Sequence, residues 1–378
     1  MIRLSGICLL AAATTGCALL SPGDDAPRIA DLGTGPVKPG DMPVESSGQQ
    51  AMQAYRSYLQ TDDESAARPE AMRRLADLSL EAGEEPQATS APAEQLYPRQ
   101  VRDAVNIYRQ VLERYPGQDG NDRIRYQLAR AYERSGQSGE ALAVLDALIT
   151  GHPDSEYRIE AQFRRGEMLF VRQDYRGAGQ SYQDVTDAGP ATSFYRQALY
   201  KLGWCYFKQG LNRDGLDAFI ALLDDQIPAG DTDIASLDRS RRELLADTLR
   251  VVSLSFSYED GASGVAEYFI RRGGRHYEDA VYDSLGSLYL EKERYSDAAQ
   301  TFHTFVEANP RHRRAPAFQM RVIETYEQGG FPSRVLQGKK DFVERYHLQA
   351  DYWQHHDPLR SETVLGYLRE TLTGLARH

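Results

Sequence analysis

Few side chains in this sequence have the types and spacing that chemistry requires. His355-His356-Asp357 is the one run that looks like a set of metal ligands. Neighbouring residues on a helix point about 100° apart, so two adjacent imidazoles do not easily share one ion, and no metal is expected there. The other histidines, His152, His276, His303, His312 and His347, have no partner by spacing. Asp224-Asp225 is a carboxylate pair at the expected end of a helix, where solvation explains it. The chain has no phosphate-binding glycine loop, zinc-protease helix, serine elbow or dinucleotide fingerprint. The expectation is a non-catalytic protein without a cofactor. Two arginine groups remain: Arg271, Arg272 and Arg275, and Arg311, Arg313 and Arg314 beside His312. One reading makes them an anion site for lipid head groups, lipopolysaccharide phosphate or an acidic partner. The other makes them solvated loop residues near helix C-termini, where the helix dipole favours cations.

A second kind of chemistry lies at the N-terminus. Arg3 supplies a charge, Ile7 to Ala13 an apolar stretch, and Thr14-Thr15-Gly16-Cys17 a small-residue end. This is a secretory pattern, too short to span a bilayer. With a cysteine at the cleavage point it resembles a bacterial lipoprotein signal, with Thr14 standing where that family usually has an aliphatic. The resemblance implies cleavage after residue 16 and acylation (palmitate and related chains) on Cys17. Ala18, and no Asp, follows the cysteine, which by the family's sorting rule implies the outer membrane of a Gram-negative bacterium, facing the periplasm. An ordinary cleaved signal with an incidental cysteine is the alternative. Residues 17–47 are rich in Pro, Gly, Asp and Ser and are expected to form a disordered tether. Beyond it only Cys205 remains, within Leu202-Gly203-Trp204-Cys205-Tyr206-Phe207, so no internal disulfide can form and a buried thiol is expected. A net charge of −11 argues against nucleic-acid binding.

These residues must be positioned by helices, because from residue 48 onward the sequence is a series of helical patterns with short breaks. The clearest unit is 279–312, with Tyr282, Leu285-Gly286, Tyr289, Ala298, Phe302, Phe305 and Pro310. That order resembles the tetratricopeptide repeat, a helix pair of about 34 residues. Gly286 and Ala298 are small enough to let two helices approach, and Tyr289, Phe302 and Phe305 are expected to fill the space between this pair and the next. Pro310 ends the unit. Residues 122–155, 159–192 and 196–229 follow the same frame, each starting 37 residues after the last. Weaker signals suggest a helix over Ala71–Leu80 paired with one carrying Ala104, Tyr108 and Val111, with 83–97 as an inserted loop. Two helices within 241–272 carry only degenerate repeat positions, and 315–347 matches at Tyr326 and Phe342. Residues 48–60 form a leading helix, and Leu365–His378 a closing one. The expected fold is an all-α solenoid of about six or seven helix pairs over 48–378, since one repeat cannot bury its own face and stacked neighbours can.

In this repeat family the first helix of each pair lines a concave groove. The resemblance places Tyr126, Phe163 and Tyr200 in one recurring row, with Arg130, Glu167 and Trp204, and Glu133, Phe170 and Phe207, in two others. Aromatic rings flanked by charge suit recognition of peptides or helices. The same rings could equally pack between repeats. The pattern from Asp154-Ser155 to Ala178 is also similar to repeat lipoproteins of β-barrel assembly and to periplasmic repeat proteins of the Tol-Pal system. The implied function is a scaffold binding envelope proteins or peptide segments. A module for cell-wall glycan or lipopolysaccharide, or an accessory subunit of an export machine, is the alternative.

Overall fold

The computed structural model describes residues 47–61, 65–82, 93–227 and 238–377. The expected signal peptide, Cys17, nearly all of the tether and residues 83–92 of the expected inserted loop lie outside the described residues. The chain divides into two compact units, Met1–Gln50 and Ala51–His378, and every helix pair belongs to the second.

The described residues form sixteen α-helices and no strand. After α1 (Ser47–Leu59) come seven consecutive pairs. They are α2 (Arg68–Ala82) with α3 (Ala93–Arg114), α4 (Asn121–Arg134) with α5 (Ser138–Gly151), and α6 (Arg158–Val171) with α7 (Tyr175–Asp187). Then follow α8 (Tyr195–Lys208) with α9 (Asn212–Gln226), α10 (Arg239–Tyr258) with α11 (Gly261–Arg272), and α12 (Glu278–Glu291) with α13 (Tyr295–Ala308). The last pair is α14 (Ala315–Gln328) with α15 (Pro332–Tyr346). Two 3-10 turns lead from it to α16 (Glu362–Ala376), which packs on α15 through Val364 and Leu368. Helix α3 begins at Ala93, so the expected inserted loop does not extend to residue 97.

One contact explains most of the pairing. The eighth residue of each clear unit is small, and a large side chain sixteen residues later sits over it. A Cβ on Gly166 would come within 2.7 Å of the Tyr182 ring, and one on Gly203 within 2.6 Å of Phe219. A Cβ on Gly286 would overlap Phe302 still more severely. The glycine therefore lets the ring lie flat against helix backbone, and all three rings are fully buried. Each such burial stabilises the pair by about 1.5–3 kcal/mol. Phe302 thus fills the gap within its own pair as well as touching Phe318 of the next. In α4–α5 Ala129 and Leu145 play the same parts, and in α14–α15 the roles are exchanged, Ile323 lying over Gly338.

A second recurring device closes the turn between paired helices. The backbone N–H of Gln137, Asp174, Leu211, Arg294 and Phe331 each reaches back to the carbonyl five residues earlier, at 2.9–3.0 Å. Such a bond requires a left-handed residue just before it. Gly136, Gly210 and Gly330 supply it freely, while Gln173 (φ 64) and Glu293 (φ 55) adopt it despite their side chains.

The α10–α11 pair has no glycine pressed by a ring of its own pair and closes its turn differently. Phe269 is buried, as is the small Ser253 sixteen residues before it, while Tyr268 stays partly exposed. Tyr268 meets Phe256 edge-on at 5.9 Å and donates its hydroxyl to Asp217 of α9 at 2.7 Å. At the turn Glu259 has φ −101 rather than a left-handed value, and Gly261 (φ 56) takes that conformation two residues later. Helix α10 lies mostly against α9 and α12 and touches its own partner less. This is why the sequence signal degenerates here.

Candidate functional site

The first-helix rows meet different fates. Tyr126 is buried, stacks on Tyr157 of the next unit at 4.9 Å, and donates its hydroxyl to Glu160. Phe163 repeats the arrangement on Phe194 at 4.9 Å. These two rings are joints between consecutive repeats. Arg130 lies 5.9 Å from the Tyr126 ring centre. Glu133 is bound by Arg164 at 2.9 Å. Glu167 accepts the Tyr182 hydroxyl and holds Lys201 of the next unit at 3.1 Å. Glu133 and Glu167 are therefore used between repeats, which the spacing alone did not show.

Helix α8 differs. Tyr200, Trp204 and Phe207 are each partly buried and form a run of edge contacts, 6.4 Å and 5.5 Å between successive rings. Phe219 backs Tyr200 and Trp204 from beneath at 6.0 and 6.2 Å. Tyr258, from the end of α10, continues the run at 6.1 Å from Phe207 and is 69% exposed. On the other side Lys201 lies 5.1 Å over Phe170, whose ring meets Tyr175 edge-on, and Val171 beside it is exposed. The result is an aromatic wall with one cation, its outer end open to solvent. Sequence reasoning missed Tyr258, because the altered frame of its repeat hid the alignment. It missed Lys201 as well, although that residue neighbours Tyr200.

The arginines are largely spoken for. Arg314 binds Asp279 at 2.7 Å and Asp283 at 3.0 Å and lies over Phe318. Arg311 reaches Asp351 at 3.4 Å, and its carbonyl pairs with His356 Nε2 at 2.8 Å. Only Arg313 of that group is exposed with no bonded partner among the described residues, so the expected three-arginine anion site keeps one unneutralised charge. Arg271, Arg272 and Arg275 pair with Glu267, Asp217 and Asp224. Asp224 also accepts the Tyr277 hydroxyl at 2.6 Å, and Asp225 holds Arg196, so this carboxylate pair ties helices together.

His355 and His356 lie between two 3-10 turns rather than on a helix, and His356 stacks on Tyr352 at 4.3 Å. Among the described residues no three His, Cys, Asp or Glu side chains are grouped to hold a metal ion. Cys205 is fully buried, and burial pushes its thiol up to about 12. No helix among the described residues is long and apolar enough to cross a membrane.

Two tetratricopeptide-repeat family models match the chain, at residues 97–162 and 197–225. The chain carries tetratricopeptide repeats. Solved structures with a similar fold include MamA from Desulfovibrio magneticus RS-1, at 18% identity over 52% of this chain and 92% of that one, with a TM-score of 0.34. A tetratricopeptide repeat protein from Parabacteroides merdae is 12% identical over 79% of this chain and 98% of the other, TM-score 0.35. The C-terminal part of a repeat-containing protein from Cytophaga hutchinsonii is 10% identical over 82% and 94%, TM-score 0.41. No curated protein matches the sequence. Tetratricopeptide repeats generally serve as scaffolds for protein–protein interaction, and their presence suggests that class of function here.

Proposed function

We propose that this chain is a non-catalytic scaffold on the periplasmic side of the outer membrane, tethered by lipid on Cys17, that holds envelope proteins through the aromatic wall of α8. The observation that supports this most is the run Tyr200–Trp204–Phe207–Tyr258, which is only partly covered and ends on an exposed ring. Aromatic side chains concentrate binding energy because they bury a large area at low entropic cost. Lys201 over Phe170 is already held by Glu167, so the rings rather than a free cation carry the recognition, suited to a segment with apolar residues. The glycan or lipopolysaccharide reading draws less support, since carboxylates neutralise five of the six arginines it would use.

The test is photo-crosslinking in cells from positions 204 and 258, with position 180 on the exposed side of α7 as control. A discrete envelope protein trapped from the first two and not from the third supports the reading. Equal adducts from all three, or none, contradict it. Cys17→Ser should release the protein from the membrane fraction, and persistence there would remove the lipid anchor from the account.

A further inference from the structure

The ring spacing on α8 bears on the shape of what the wall can hold. Tyr200 and Trp204 meet edge-on, at 77° between ring planes, and Phe207 and Tyr258 meet at 49°. Each pair makes a notch, and the two notches follow one another along α8. Their α8 members, Tyr200 and Phe207, are two helical turns apart, about 10.5 Å along the axis. Side chains on one face of a β-strand recur at about 6.6–6.8 Å, too short for this interval. In a polyproline II segment they recur at every third residue, about 9 Å apart. An α-helix reaches the interval only by skipping a turn, with anchors at i and i+7.

We propose that the partner segment held by the wall is a proline-containing stretch in the polyproline II conformation, with prolines at i and i+3 seated in the two notches. The inference rests on the wall being the contact surface, and it adds the chemistry of the occupant. Hydrogen bonding separates the remaining candidates. The indole N–H of Trp204 and the hydroxyls of Tyr200 and Tyr258 have no bonded partner among the described residues, and none of these atoms is enclosed. An indole only donates, and phenols donate as well, so the wall offers donors. A polyproline II segment has no internal hydrogen bonds and its prolines carry no N–H, so its backbone presents acceptors. A helix has already bonded its carbonyls internally and leaves these donors unmet. A strand would bring an N–H with every carbonyl, and α8 has no Asp or Glu to receive them. The same absence of carboxylates gives this helix a positive bias. Lys201 is held by Glu167, but Lys208, next to Phe207, is exposed with no bonded partner among the described residues. An acidic residue beyond the second proline meets Lys208. The segment is extended before it binds, so little chain is ordered on docking.

The experiment is selection of randomised dodecamer peptides displayed on phage, with the full wild-type chain as bait. Enriched peptides are then titrated against wild type, Tyr258→Ala, Tyr258→Phe and Trp204→Phe, whose equal melting temperatures verify folding. The expected peptides carry prolines three residues apart with Asp or Glu beside them. Tyr258→Ala, or alanine in place of either proline, should lower affinity by about tenfold. Tyr258→Phe and Trp204→Phe keep a ring and remove a donor, and each should lower it by about threefold or more. Peptides that depend on Tyr258 yet are helical, or bind as well without their prolines, would overturn the inference while leaving the wall as a contact surface. Affinity unchanged by both ring-preserving variants would overturn it in the same way. No Tyr258-dependent peptide would also overturn it, and photo-crosslinking from position 204 separately decides whether the wall holds a protein at all.

Discussion

The 279–312 repeat and the α10–α11 pair each hold two helices, yet only the first seats a ring on glycine. In the first, Gly286 gives way to Phe302 and the turn closes through a left-handed Glu293. In the second, no glycine lies under a ring of the pair, Tyr268 turns toward α9, and the turn follows another path through Gly261. The two helices of this second pair accordingly touch each other less than they touch their neighbours. The stack tolerates this because α10 is held from both sides by α9 and α12.

That contrast can be broken most forcefully at the rings. Phe302→Ala removes a fully buried ring from a glycine-floored slot and should cost about 3–5 kcal/mol. Tyr268→Ala, which removes a partly exposed ring of α11, should cost about 1 kcal/mol. Urea unfolding of both variants measures the difference, and equal losses would mean the two repeats are packed alike.

The glycines sharpen it. Gly286→Ala forces a Cβ into Phe302 and should destabilise by about 1–3 kcal/mol. Gly264→Ala, on α11, meets Asp260 and Phe256 only at ordinary contact distance, 3.6 Å. It should instead stabilise by about 0.4–1 kcal/mol, as helix glycines usually do when replaced. Thermal melting of the pair would show shifts of opposite sign, and shifts of the same sign would defeat the comparison.

Smaller still is the turn. Glu293 pays for the left-handed conformation that Gly210 and Gly330 adopt freely. Glu293→Gly should therefore stabilise by ~1 kcal/mol or somewhat less, while Glu259→Gly, where φ is negative, should not stabilise at all. A matched pair of melting curves checks this.

Much of the fold was legible in the residues. Gly286, Ala298 and the aromatic spacing announced close helix pairs, and the constant frame from 122 to 229 placed three of them. The leading helix, the closing helix and the buried Cys205 also followed from apolar periodicity. The altered repeat was legible only as a weak match, because it has no glycine under a ring to mark its frame. Gln173 and Glu293 show why turn conformation escaped notice: nothing in a glutamine or glutamate announces a positive φ. The candidate site was legible in part. Trp204 and Phe207 stand in the wall, but Tyr126 and Glu167 serve the joints between repeats, since an aromatic or acidic residue at a recurring place can face either way. Tyr258, 51 residues beyond Phe207, joins the wall only through tertiary packing.

Hydrogen exchange of the full wild-type chain, read helix by helix, tests the central claim most directly. An unlocked pair should open locally at lower free energy than its neighbours. The account predicts that the amides of α11 exchange at least about tenfold faster than those of α9 and α13, with α13 among the slowest. Protection of α11 equal to that of α9 and α13 would contradict it, and α10–α11 would then be a pair held as firmly as its neighbours.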